Sequence, residues 1–530
     1  MKKGFLSLLF LTAIAVGTAC ASDDAGELGS ETNNGENTES ADNANDLTIG
    51  VPSDAQTLDP QGGNEHATLN VGRTIYDTLV FTDGSMDMHM RLAESFEQIE
   101  DTTWEVELRE DVQFHDGSDF NAEAVKVNIE RLLDPDVASP VSFMFDMITD
   151  VEVVDDYTVH IHTDIPFAPL RAHFAHPGGH MIAPSAIEAD YEAMEDGAEP
   201  GSYINQNPIG TGAFTLEEWN PGEFVKVTKN EDYWGDVANV DSITFKVVPE
   251  DNTRVAELET NSSQMISHLN PDFMSRVEGN DDLKIATQES VSLFYLGFNV
   301  EQEPFDDPQV RTAISKAVDK EAIIDGLLNG AGLPAKGPLA PPVFGSSDDI
   351  KAIEKDLEEA RELLADAGYP DGFEATLTVE TSQIGSDVAE NIQAQLEEIG
   401  IDLDIETLER GAYVDVVTNA RQDMFLGSWG TVTGDADYGL YPMFHSSNHG
   451  IAGNRTFYAN EEVDALLEEA RSGTEEERLA LYHDAQQLIV DDAPMVPLYH
   501  TEHMAGLQDN IEDFYIHPSS FFYLGDVNVQ

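Results

Sequence analysis

At 530 residues the chain is too long for one compact core, so about two or three domains are expected, and a hydrophobic content of 41% supplies the material to bury them. Its 102 acidic against 26 basic residues set a formal charge of −76, which argues against direct binding to nucleic acid or anionic lipid. The acids run along the whole chain and do not gather in a tail, the pattern of a protein bathed in concentrated salt, so the source is read as a halophile.

The chain opens on MKKGFLSLLFLTAIAVGTAC. Lys2 and Lys3 precede an apolar run from Phe5 to Val16 and then small residues, the order of a secretory signal peptide over residues 1–19. The run is too short to span a bilayer as a helix, and no later apolar stretch is long enough. The single cysteine, Cys20, excludes an internal disulfide. The small residues before it resemble a bacterial lipobox, with Gly17 where that motif usually has a large aliphatic side chain. A lipidated Cys20 would anchor the protein, each buried CH2 adding about 0.8 kcal/mol, at the outer face of the cell membrane. From Ala21 to Asp46 there is one leucine and no aromatic residue, so residues 20–46 read as the lipidated cysteine and a disordered acidic tether.

Folded sequence is predicted to begin at LTIGV, residues 47–51. From there to roughly residue 285 strand signals dominate: TWEVELRED alternates, VEVVDDYTVHIHT reads as a hairpin around Asp155 and Asp156, and ITFKVV alternates again. One helix interrupts at NAEAVKVNIERLL, with Val125, Ile129 and Leu132 on one face. After about residue 300 helices alternate with strands. Asp307 is placed to cap a helix opening on Pro308; DLEEARELLADAG and SDVAENIQAQLEEIG end on Gly368 and Gly400; IDLDIETL alternates; Thr474 and Glu477 have capping-box spacing. A strand is expected over APMVPLYH, and the last thirty residues lack helix signals. The alternation argues for an α/β domain with a partly parallel sheet.

Catalytic motifs are absent: there is no GxSxG, HExxH, Walker A or post-strand GxGxxG. RAHFAHPGGHM holds His173, His176 and His180, imidazoles that could bind zinc, nickel or copper, but Pro177, Gly178 and Gly179 break any shared helical face, so they read as loop histidines lining a cleft or the surface. The second conspicuous stretch is GSWGTVTGDADYGLYPMFHSSNHG, residues 427–450. It reads as a glycine-punctuated loop after a buried strand ending at Trp429, the place where α/β proteins bind ligands. Trp429 offers a flat wall, backbone N–H groups around Gly430 and Thr431 can approach an anion, and Asp435 and Asp437 can hold an ammonium or shape the loop.

From residue 47 to the end the chain resembles the extracytoplasmic solute-binding proteins of ABC importers, in the class that carries peptides, nickel and glutathione. The blocks that carry the resemblance are SDAQTLDP, TIYDTLVF, LREDVQFHDGSDFNAEAVKVNIERL, NPIGTGAFTLEEWNPGEFVKVTKNEDYWG, YLGFNVEQEPFDDPQVRTAISKAVDK, ARELLADAGYP and NRTFYANEEVDALLEEA. It implies a two-lobed periplasmic-binding-protein-like α/β fold, class II with an extra subdomain in lobe I, closing over its ligand by a hinge. Lobe I is placed at 47–288 plus 498–530 and lobe II at 289–497, with crossings near SLFYLGFN and VPLYHTEH. The resemblance further implies a monomer without cofactor or chemistry on its ligand, partnered by permease subunits in the membrane.

Peptide-binding relatives place an acid three residues after the tryptophan, to pair with the peptide ammonium; here that position is Val432. VTGDADYGL, AHPGGHMIAPSAI and FVKVTKNEDYWG look instead like the glutathione-binding branch. Asp435 or Asp437 is then expected at the γ-glutamyl ammonium, Arg73 and Arg455 at the ligand carboxylates, and Tyr295 and His176 as lining contacts. A general oligopeptide binder and a nickel or haem carrier of the same fold are the alternatives.

Overall fold

The computed structural model describes residues 45–530. The expected signal peptide, Cys20 and all but the last two residues of the tether lie outside the described residues. Among those described, no helix is long and apolar enough to cross a membrane.

Local signals act where they were read. Asn121 accepts a hydrogen bond from the Ala124 N–H and opens the helix Ala122–Leu133, whose Val125, Ile129 and Leu132 are buried. Asp307 caps Pro308–Ala317 in the same way, and Thr474 and Glu477 exchange both bonds of a capping box ahead of Glu475–Asp492. The hairpin is formed by Ile148–Asp155 and Thr158–Thr163.

The strands assemble into an eleven-stranded sheet. Its order is Ile401–Leu408, Phe373–Glu380, Met424–Gly430, Leu283–Phe298, Met495–Gln508, Met265–Ser267, Asp46–Val51, Ser242–Val247, Phe224–Lys229 and Phe214–Asn220, with Gly332–Pro334 added beside Met495–Gln508. Pairing is parallel around Asp46–Val51 and again around Phe373–Glu380, and helices make the crossovers that parallel strands require. A separate antiparallel sheet of Ala93–Glu100, Thr103–Leu108, Thr158–Thr163 and Ile148–Asp155 lies under the helix Ala122–Leu133.

The two long strands join the halves. Leu283–Glu289 pairs with Gln508–Glu502 and Leu293–Gly297 with His500–Met495, and the register breaks between Glu289 and Leu293. On one side a single core gathers side chains from Leu47 to Met265 and from Ala505 to Val527. On the other, two cores gather side chains from Val291 to Tyr499.

Two elements differ from expectation. The strand expected over residues 493–500 runs on to Gln508. The stretch read as a loop contains a helix, Ala436–Phe444, capped by Asp435, whose carboxylate accepts the Asp437 N–H at 2.9 Å. Gly439 and Pro442 hid it. Gly439 is there because a Cβ would lie 2.4 Å from Leu339 Cδ2 and 2.8 Å from Thr431 Oγ1. Pro442 has no N–H to give the carbonyl one turn back, and that carbonyl, of Tyr438, instead accepts the Trp429 indole N–H at 3.0 Å.

Candidate functional site

That indole bond fixes one wall of a cavity of about 640 Å3 between the two halves of the molecule. Trp429, Tyr438 and Tyr441 form its C-terminal side, Phe143, Phe167 and His173 its N-terminal side. The rings approach across the gap: Phe143 lies 6.3 Å and His173 6.5 Å from Tyr438, centroid to centroid. Arg471 is the clasp. Its guanidinium sits 3.3 Å from the Tyr441 ring centroid and 5.4 Å from that of Phe167, and its carbonyl accepts the Ala168 N–H at 2.7 Å.

Both aspartates of the 427–450 stretch are engaged by arginines. Asp437 takes Arg471 Nε at 2.8 Å and Nη2 at 3.1 Å. Asp435 takes Arg478 Nη2 at 2.6 and 2.7 Å with both side chains buried, and it lines a second interlobe cavity of about 600 Å3 beside Met86, Phe96 and Trp104. Asp437 shares the Trp429 cavity, and Asp435 does not. Gly430 sits in the sheet opposite Ser292, and the Thr431 N–H donates to the Val291 carbonyl at 3.0 Å, so the Thr431 N–H is already spent on the backbone. The half-exposed Val432 receives a bond from Ser519 Oγ on its carbonyl.

The other expected contacts lie elsewhere. Arg73 is stacked on Tyr523 at 4.7 Å and Phe521 at 5.2 Å and borders a third cavity, about 360 Å3, with Arg91, Arg109 and Trp234. Arg455 lines none of these cavities; its charge acts on buried Tyr295, whose hydroxyl burial pushes up to about 12 against that charge. Arg73 and Arg455 nonetheless stand out: among the described residues they are half-buried arginines with no ion pair and no side-chain hydrogen bond, in a chain with 102 acids. Tyr295 packs edge-on against Phe425 in the core. His176 is buried as well, its Nδ1 accepting the Gly178 N–H at 3.0 Å.

The three imidazoles of residues 173–180 do not converge on a metal: no group of three or more His, Cys, Asp or Glu among the described residues could hold one. They are instead buried and neutral. Burial, with His173 and Arg73 adding, lowers His176 to about 3, and burial, again with Arg73, lowers His517 to about 3. An unfolded histidine binds its proton near pH 6.5, so between pH 6.5 and 3 the unfolded chain holds more protons than the folded one and stability is lost as the pH is lowered. Each of these two sites is expected to cost about 2 kcal/mol at pH 5 relative to pH 7. Urea midpoints measured at constant salt from pH 7 to 5 check this; a flat profile would refute it.

Sequence reasoning missed Arg471 and Arg478, and with them Phe143, Asp146 and Asp164. The one available signal was scarcity: with only 26 basic residues, each arginine near an acidic motif merits a partner. Asp146 and Asp164 also border the Trp429 cavity, and burial together with the Asp164 charge raises the Asp146 carboxyl above its usual range against the opposing charge of Arg471.

Residues 87–450 match the bacterial extracellular solute-binding proteins, family 5, middle region. The chain belongs to that family. It is 33% identical over 497 residues to the glutathione-binding protein GsiB of Shigella dysenteriae, covering 92% of this chain and 95% of that protein, and equally to GsiB of Escherichia coli K12. Among solved structures it resembles HbpA2 from Haemophilus parasuis, with TM-score 0.82, 27% identity, and coverage of 92% of this chain and 100% of that one. It also resembles the periplasmic binding protein DppA from Helicobacter pylori in complex with the peptide STSA, with TM-score 0.76, 27% identity, and coverage of 91% and 98%. The family 5 chain is thus a substrate-binding protein of an ABC importer, in the peptide and nickel class, with the two-lobed fold of that class.

Proposed function

We propose that this family 5 protein captures glutathione or a similarly short peptide in the Trp429 cavity and delivers it unaltered to permease subunits in the membrane. The observation that carries the substrate is the 33% identity to glutathione-binding proteins along 497 residues. The cavity supports it: about 640 Å3 lies within the range of about 300–1,000 Å3 that small ligands occupy. The departure at Val432 favours this branch over binders that place an acid there. The lobes run over 47–288 plus 498–530 and 289–497, a division supported by the separate cores and by the register break near Glu289. The protein acts as a monomer tethered by lipidated Cys20 to the outer face of the cell membrane, and its charge of −76 adapts it to concentrated salt.

A general short-peptide binder is the second reading, favoured by the likeness to DppA with its bound tetrapeptide. Isothermal titration in molar sodium chloride separates the two. Glutathione is expected to bind one-to-one with micromolar or tighter affinity and to resist displacement by tri- to pentapeptides. Absence of glutathione binding, with those peptides bound, would overturn the reading.

A further inference from the structure

We propose that Asp146, Asp164 and His173, on the N-terminal wall of the Trp429 cavity, receive the protonated primary amine of the captured ligand. The inference rests on the reading of this cavity as the ligand site. The two aspartates first expected in that role are neutralised within the protein, Asp435 by Arg478 and Asp437 by Arg471. Asp146 and Asp164 are not: both face the cavity, and among the described residues neither is in an ion pair or accepts a side-chain hydrogen bond from another residue. Asp164 stands close enough to Asp146 to oppose its ionisation, an arrangement that a cation between them relieves.

His173 supplies an independent sign. It is 4% exposed, and its Nδ1 lies 2.5 Å from the Met144 carbonyl, which can only accept, so Nδ1 carries the proton. Nε2 is therefore a bare acceptor, buried without a partner, on a ring that borders the same cavity. A buried acceptor left open costs stability unless a donor arrives. Three acceptors on one wall call for a ligand group rich in N–H bonds and positively charged, which describes an ammonium. The faces of Phe143, Phe167 and Tyr438 around them add favourable cation–π surface. A carboxylate would meet three aspartates and a single arginine there.

The test uses titration calorimetry in molar sodium chloride with two probes, glutathione and trialanine, each with its amine free or acetylated. Binding is measured to the wild type and to D146N, D164N and the double variant. Both aspartates are exposed, so the variants are expected to fold, and thermal midpoints verify it. Acetylation and the double substitution are each expected to weaken a bound probe about tenfold or more. Trialanine bound with that dependence while glutathione is not would uphold the amine site and remove glutathione as the substrate. Glutathione bound with no effect of acetylation or substitution would overturn the amine site and leave the glutathione reading standing. Weakening by acetylation without weakening in the variants overturns the residue assignment. Binding that requires added nickel, or no binding of either probe, overturns the proposal as well.

Discussion

Arg131→Ala is expected to cost about 3–5 kcal/mol of folding stability, because it leaves two buried carboxylates without their cation. The Arg131 side chain is 0% exposed. Its Nη2 lies 2.7 Å from Asp59 and 3.0 Å from Asp190, and its Nη1 lies 2.8 Å from the Gln61 side-chain oxygen. Asp190 in turn accepts the Gly201 and Tyr203 N–H groups. One guanidinium therefore ties the segment after the first strand to the helices Ala122–Leu133 and Pro184–Glu195. Salt screens exposed charges but reaches buried ones weakly, so the loss should persist in molar salt, where most of this protein's surface electrostatics fades. Lysine is not expected to rescue it, since an ammonium lacks the planar fork that reaches both acids. Urea unfolding at fixed salt reads the effect; a loss under about 1 kcal/mol would mean that the site relaxes around the missing charge.

Asp435→Ala is expected to be nearly as damaging, at about 3–5 kcal/mol, for two separable reasons. The carboxylate caps the helix Ala436–Phe444, and it is the counter-ion of buried Arg478, which also reaches the Tyr482 hydroxyl at 3.2 Å. Asp435→Asn retains a cap acceptor and loses only the charge, so it should recover about 1 kcal/mol, the usual worth of a cap. Ligand affinity distinguishes this role from direct contact. At temperatures where the variant is folded, glutathione affinity should match the wild type; a tenfold loss in fully folded Asp435→Asn would return that aspartate to the ligand.

These two ion pairs show where sequence reasoning stops. Caps and alternation are decided within a few residues, so Asn121, Asp307 and the Thr474–Glu477 box could be read directly, as could the strands from Thr103 to Thr163. The long strand Met495–Gln508 was half legible. Its continuation through residues 501–508 lacks clean alternation because it lies mid-sheet, between Leu283–Phe298 and Met265–Ser267, with buried positions on both faces. The helix Ala436–Phe444 was illegible because Gly439 and Pro442 answer to Leu339, Thr431 and Trp429, not to the helix itself.

The candidate site was legible as chemistry and illegible as geometry. Trp429 and Asp437 do share a cavity, while Arg73 borders another and Arg455 lines neither. By itself the sequence determined the α/β class, most helix ends, and the ordered blocks that mark the solute-binding family, since each depends on short-range patterns that survive extreme acidity. Which of 102 acids are neutralised, and which face the cavity bare, was decided only by the tertiary structure. Asp437 meets Arg471 and Asp435 meets Arg478 from 34 and 43 residues away, and with so many carboxylates available, packing alone selects the partner.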